Sequence, residues 1–353
     1  MRDVVDFSKD EAADEFEYEP ETAEVVRQQS WSAGGPAELE LSVDVGRITV
    51  HLAEPATAEP EGESAEGAEP AGGEVLVEVR HDPSAGNSWT NGLSGIIDWI
   101  GGQAAGGRWS GGAPFGGEWF SQFAGGTADL AAAAVRATEI SWSDAGRRLV
   151  VRSPRELPLR MVPLAVTVTA PHRSRLSAHT GAGDVRVSGE AGWAAVRTGS
   201  GEASVQAVAG DADVVTGSGT IDVGPVTGRA RVRSGSGDVR LNGIGAHTEI
   251  KSGSGDVTLG EVDADLGVRT GSGDIMINDA KSGQLRLSTG SGALHIAVHP
   301  GVAAELDLSS GSGRTRSDLE VGREAPSGGA TRLRISGRTG SGNVLVTRST
   351  VTV

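Results

Sequence analysis

Residues 37–52, AELELSVDVGRITVHL, alternate apolar and polar side chains. Leu39, Leu41 and Val43, then Ile48, Val50 and Leu52, therefore share one face of an extended chain. A two-residue period predicts half-buried strands, with a turn near Gly46. The same alternation returns over residues 74–79, 148–152 and 164–169, and Pro171 marks the next break. Residues 93–100 follow another period, with Leu93, Ile96, Ile97 and Ile100 on one helical face. Residues 118–135 predict a second helix, or two short ones broken at Gly125–Gly126.

From Thr180 onward the pattern repeats. A motif of the form T/S-G-S-G-D-V-x-V begins at Thr180, Thr198, Thr216, Ser234, Ser252 and Thr270, every 18 residues, and continues at Thr289, Ser310 and Thr339. Two residues before each of the first in-register starts stands an apolar residue such as Val196, Val214, Val232, Ile250 or Val268. Five and seven residues after them stand pairs such as Val239 and Leu241, Val257 and Leu259, Ile275 and Ile277. A further apolar position, ten residues on, holds Val208, Val226, Ile244 and Val262. Each unit thus predicts one strand entering a glycine turn and one leaving it, with equivalent residues stacked at the strand spacing of about 4.8 Å. Unit stacking buries what a single unit cannot. The buried positions do not recur every six residues, which disfavours a left-handed hexapeptide helix. The fold class expected is all-β: a right-handed parallel β-helix or flattened, β-roll-like two-sheet solenoid of 18-residue coils.

Composition refines this picture. Aromatic residues are 4 % of the 353 residues while glycine occurs 54 times, which suits a narrow core of Val, Ile, Leu and Ala. The absence of cysteine removes disulfides, thiolate metal sites and cysteine catalysis. The net charge of −16 arises entirely in residues 1–80, which carry 21 acidic and 5 basic side chains. The remaining chain is neutral and shows no run of cations, which argues against nucleic acid as a partner. Four segments follow: an acidic disordered arm over 1–28, first strands with a Glu/Ala/Pro linker (53–73) over 29–81, a Gly/Trp-rich, partly helical insertion over 82–138, and the solenoid over 139–353. The beginning of the chain lacks the apolar core of a signal peptide, and no stretch approaches the length of a membrane span, so the expectation from sequence is cytoplasmic.

The T-G-S-G-D motifs and the opening strands ELELSVDVGRITV resemble the bacterial family known as putative adhesins. The resemblance covers residues 30–353 and is strongest over 164–346. It implies a parallel β-solenoid, a cell-surface or adhesive role and no catalytic residues. The 82–138 insertion departs from the family's repeat, and no export signal precedes the domain.

Three constellations bear on chemistry. Stacked carboxylates at Asp184, Glu202, Asp238, Asp256 and Asp274 suggest calcium, but Thr220, Ala293, Arg314 and Asn343 interrupt the column, and ligands stand at only one end of each coil. The expectation is that these side chains accept hydrogen bonds from turn amides. Cations at Arg197, Arg233, Lys251, Arg269 and Arg338 form a second column, able to hold an anionic polysaccharide or teichoic-type polymer or, more simply, to compensate the neighbouring acids. Trp89, Trp99, Trp109 and Trp119, with Ile96, Ile97, Ile100 and Phe123, suggest an interaction face or, as every solenoid requires, a cap.

Nothing here resembles an active site. The histidines lack ligand spacing, T-G-S-G is neither a nucleophile elbow nor a phosphate loop, and the uniform coils leave no room for catalytic loops. The expectation is therefore no catalytic, cofactor-binding or metal residues, no cofactor, and a non-enzymatic binding or scaffolding module for a protein or polysaccharide. The alternatives are a cytoplasmic regulatory or envelope-stress accessory protein acting through protein contacts, and a solenoid polysaccharide-active enzyme.

Overall fold

The computed structural model describes residues 25–53, 73–82, 84, 127–319 and 333–350. The expectations placed on residues 1–24, on the linker, and on residues 85–126 with their four tryptophans lie outside the described residues. Within them the chain forms 23 strands, β1–β23 in chain order, and one α-helix, α1 (Thr127–Ala137).

Each repeat unit supplies one strand to each of two parallel sheets. β13 (Ala230–Ser236) enters the glycine corner and β14 (Val239–Ile244) leaves it. β15 (Thr248–Ser254) then returns beside β13, one layer on. Ala230 pairs with Thr248, Val232 with Ile250 and Ser234 with Ser252, and β15 meets β17 (Leu266–Ser272) in the same 18-residue offset. The entering strands form the entry sheet and the leaving strands the exit sheet. β2 (Glu38–Ala53) and β18 (Ile275–Ser291) each pass from one sheet to the other, so all 23 strands belong to one hydrogen-bonded network.

The core lies between the sheets, as the alternation requires. Val232, Ile250, Val268 and Leu287 project from the entry sheet, and Val239, Leu241, Val257, Leu259, Ile275 and Ile277 from the exit sheet; all are buried. A further inward column stands four residues before each motif start: Leu176, Ala194, Ala212, Ala230, Thr248, Leu266 and Leu285, in register and buried. Ile250→Ala should therefore lower stability by about 2–5 kcal/mol. Glu249→Ala, on the opposite face of the same strand, should change it by no more than about 0.5 kcal/mol. Denaturant midpoints of the two variants check the assignment of faces.

The corners correct the simple reading of G-S-G as a turn. The first glycine and the serine still belong to the entering strand, and the chain turns at the second glycine and the following residue. The first glycine is needed for close approach: a Cβ on Gly253 would sit 2.4 Å from the carbonyl oxygen of Gly235 one layer below. The second glycine often needs its conformation as well, as at Gly255 with φ +119°. The Thr or Ser that opens the motif is buried beneath this corner. Its hydroxyl donates to a corner carbonyl, as Thr289 does to Gly273 at 3.1 Å and Thr339 to Gly292 at 2.9 Å. Thr216 Oγ1, by contrast, is buried with no partner among the described residues. Thr289→Val should thus cost about 1 kcal/mol, the net value of a buried hydrogen bond, whereas Thr216→Val should be neutral or stabilising. Melting midpoints distinguish the two.

The ends are interleaved. At the start, β2 lies between β5 (Arg148–Arg152) and β7 (Arg175–Ala182) in the entry sheet, and between β6 (Leu164–Pro171) and β8 (Val185–Ala191) in the exit sheet. At the other end the layers do not follow chain order. β22 (Leu333–Ser341) pairs with both β18 and β20 (Ala304–Ser310), and β23 (Val344–Arg348) with both β19 (Leu294–Val298) and β21 (Thr315–Ser317). The motif starts therefore stack as Thr289, Thr339, Ser310. Spacing along the chain reports that units repeat, not the order in which they stack.

Antiparallel strands close the first end. β1 (Arg27–Ser32) pairs with β3 (Glu74–His81), which pairs with β6, while β4 (Glu139–Ser143) pairs with β5. Arg27 and Gln28, assigned from sequence to the disordered arm, are thus strand residues: their stretch carries only Trp31 as an apolar signal. Trp31 of β1 and Trp142 of β4 stack at 5.8 Å, joining the edge strands of the two sheets. Helix α1, the described part of the insertion, buries Leu130, Ala131, Ala134 and Val135, and the Arg27 guanidinium donates to the carbonyls of Arg136 and Thr138. This helix thus packs its apolar face onto the core.

Candidate functional site

The acidic column is spent on the backbone. Asp184 Oδ1 accepts from the amide of Glu202 one layer up, Asp238 from Asp256, Asp256 from Asp274, and Asp274 from Ala293, at 2.7–3.0 Å. Each carboxylate thereby fastens its own corner to the next. In the earlier coils arginines of the exit sheet also meet the charge: Arg186 lies 3.2 Å from Asp184 and 2.9 Å from Glu202, and Arg240 lies 3.7 Å from Asp238. Since Asp184, Asp238, Asp256 and Asp274 each accept a backbone amide, folding should not require calcium. Circular dichroism and melting of the full chain in excess chelator should match those with added calcium; a β signal appearing only with calcium would make the column a metal site.

The cation column behaves otherwise, and compensation by the acidic column is not what the structure shows. Arg197 pairs with Asp213 at 3.6 Å and Arg338 with Asp307 at 3.8 Å, both within the entry sheet. Between them Arg233, Lys251 and Arg269 occupy directly paired positions on β13, β15 and β17. All three are exposed, and none has an ion-pair partner among the described residues. The reason is geometric: the acids turn toward the exit sheet, while the cations stand on the outer face of the entry sheet, across the corner.

The neighbouring outward column runs Asp213, Arg231, Glu249, Gly267, Arg286. Gly267 leaves a dip, and a groove of about 220 Å³ opens there between Glu249, Lys251, Arg269 and Arg286. It adjoins a second groove of about 530 Å³, which shares His247 and Glu249 and extends past Arg231 to Trp193. The Trp193 ring lies 5.4 Å from the Arg175 guanidinium carbon. Together these make a shallow furrow running across the strands, flanked by the cation row. This patch carries Arg229, Arg231, Arg233, Lys251, Arg269 and Arg286 against Asp211, Asp213, Glu249 and Asp265.

A third groove, about 430 Å³, lies near the first end, and its two acids are paired. There Glu40 of β2 binds both Arg148 and Arg152 of β5, and Asp44 binds Arg160 at 3.1 Å. Hydrogen bonds from Arg152 and then Arg148 hold the Glu40 carboxyl below the usual carboxylate range. Its stabilisation is full at neutral pH and is lost as pH falls from the ordinary carboxylate value, about 4.3, through the lower folded one. The melting difference between the native chain and Glu40→Gln should accordingly be constant near pH 7 and shrink below about pH 4.

Among the described residues no group of three or more His, Asp or Glu side chains is placed to hold a metal ion, and no helix is long and apolar enough to cross a membrane. The family model described as Toastrack DUF4097 matches residues 164–350, more than half of the chain. The chain belongs to the Toastrack DUF4097 family. The matched Toastrack region holds the furrow and the cation row entire. No curated protein matches the chain. Among solved structures it is similar to a putative cell adhesion protein from Clostridium sporogenes (9 % identity, TM-score 0.21, covering 92 % of this chain and 99 % of that one). It is similar also to putative adhesins from Bacteroides fragilis (9 %, 0.31, 91 % and 97 %) and Parabacteroides distasonis (11 %, 0.27, 92 % and 98 %). These likenesses are too distant to bear on ligand or activity.

Proposed function

We propose that this Toastrack chain is a non-enzymatic, adhesin-like binding module of the cell envelope, whose working surface is the outer face of the entry sheet. The observation that carries this is the row Arg233–Lys251–Arg269. Three like charges in direct register repel one another, and none of them forms an ion pair among the described residues. A stack of uniform coils has no structural use for such a row at the surface. An anionic partner laid along it supplies the missing charge. The coils around this face wind right-handed in this reading, as nearly all crossovers between parallel strands do.

The test is adherence of labelled full-length chain to bacterial cells and to their isolated envelopes. The triple variant Arg233→Gln, Lys251→Gln and Arg269→Gln should lose adherence while melting no lower than the native chain. Retained adherence by that variant, together with loss on deleting residues 1–24, would overturn the reading in favour of an accessory protein acting through its acidic arm. Depolymerisation of any envelope polymer by the purified chain would overturn the non-enzymatic part.

A further inference from the structure

We infer that the furrow and its cation row bind a linear acidic polysaccharide, one bearing carboxylates at regular intervals, lying across the strands along the axis of the solenoid. The inference rests on the binding-module reading and narrows it to a ligand class.

Three features converge on a sugar polymer. First, the cations recur at the strand spacing of about 4.8 Å, so a polymer with one carboxylate per sugar or per disaccharide meets them in step along the axis. Second, the furrow is not purely basic. Glu249 and Asp265 line it beside Lys251, Arg269 and Gln284, offering acceptors and donors to hydroxyl groups between the charged sites. Third, it ends at Trp193, which lines it together with Asp211, Asp213, Arg229 and Arg231 and carries the Arg175 guanidinium over its ring. An indole at the end of a polar groove offers a flat apolar surface with a polar handle, suited to one face of a pyranose ring.

The same features disfavour other polyanions. A nucleic acid carries a far denser charge and gains affinity by neutralising many phosphates at once. Here the cations are interspersed with Asp211, Asp213, Glu249 and Asp265, which leaves no unbroken cation run to neutralise successive phosphates. An acidic peptide gains its affinity from apolar anchors seated in pockets, and the furrow provides only Trp193.

The decisive experiment is calorimetric titration of the full chain with a polyuronate oligosaccharide. Its methyl-esterified form, a poly-glutamate peptide and single-stranded DNA of similar length serve as comparisons. The polyuronate should bind, weaken with rising salt, and lose its affinity on esterification. The Arg233→Gln, Lys251→Gln, Arg269→Gln variant should bind it at least about tenfold more weakly. Trp193→Ala should weaken it severalfold by an amount that does not vary with salt, which a purely electrostatic role would not produce. Melting of both variants secures that they are folded, and Arg233→Lys, which keeps the charge, should retain binding. Binding of poly-glutamate or DNA as tight as that of the polyuronate would overturn the sugar assignment. If no polyuronate binds, but the triple variant still loses envelope adherence, the ligand class falls and the binding face stands. If the triple variant matches the native chain in both assays, both fall.

Discussion

Gly255→Ala should be among the most damaging single substitutions in this chain, although it adds one methyl group at the surface of a corner. The residue has φ +119°, which an L side chain rarely adopts, and its Cβ would lie 2.4 Å from the carbonyl oxygen of Gly237 one layer below. Backbone strain of this kind costs about 1–3 kcal/mol, and forcing the layers apart typically adds about 1–3 kcal/mol more. Gly267→Ala provides the contrast. Gly267 lies in β17, where the nearest atom a Cβ would meet is Thr248 O at 4.0 Å. That substitution should be neutral or slightly stabilising, because alanine restricts the unfolded chain more than glycine does. Urea midpoints for the two alanines should differ widely; equal midpoints would mean the layers are not in the close register described.

The second large effect concerns the interleaved end. Removing residues 333–353 should disorder not the last layer alone but two layers. β22 and β23 lie beneath β20 and β21, and they bury Leu333, Ile335, Val344 and Val346. Each of these contributes about 1.5–3 kcal/mol by burial. Their loss uncovers Leu285, Leu287, Leu294 and Ile296 and leaves β20 and β21 without a neighbouring strand. Limited proteolysis of the shortened chain should cut within residues 300–319 markedly faster than it does in the full chain. Were the layers stacked in chain order, residues 300–319 would stay protected.

How much of this was legible beforehand depends on what each residue reports. The strict spacing from Thr180 to Thr270 reports the repeat, and the apolar positions around Ile250 and Val257 report which faces are buried; both emerge in the structure. The column through Ala194, Ala212, Ala230 and Thr248 escaped because small and polar residues carry little hydrophobic signal, although Leu176, Leu266 and Leu285 fill the same column in other layers. Gly337 escaped for a related reason. It stands where Leu287 stands one layer below, and a Cβ there would meet Leu308 Cδ2 at 3.0 Å and Leu294 Cδ1 at 3.2 Å. The Asp column was readable as turn chemistry, because acceptors beside glycine corners have amides in reach. The unpaired state of Arg233, Lys251 and Arg269 was not readable. Sequence proximity to Asp238, Asp256 and Asp274 suggested compensation, and only the corner between them sets the two columns on different faces.

That face can be interrogated directly, because the chain has only three lysines, Lys9, Lys251 and Lys281. Lys251 is exposed in the cation row, while Lys281 is held by Glu261 at 2.6 Å, which raises its pKa and slows its reaction with amine reagents. Amine labelling of the full chain, read by mass spectrometry with and without a polyuronate oligosaccharide, therefore carries its own internal reference. Ligand should shield Lys251 and leave the labelling of Lys281 and Lys9 unchanged. Unchanged labelling of Lys251 under conditions where the ligand is bound, or shielding of Lys281 or Lys9 instead, would contradict the assignment of the binding surface to the outer face of the entry sheet.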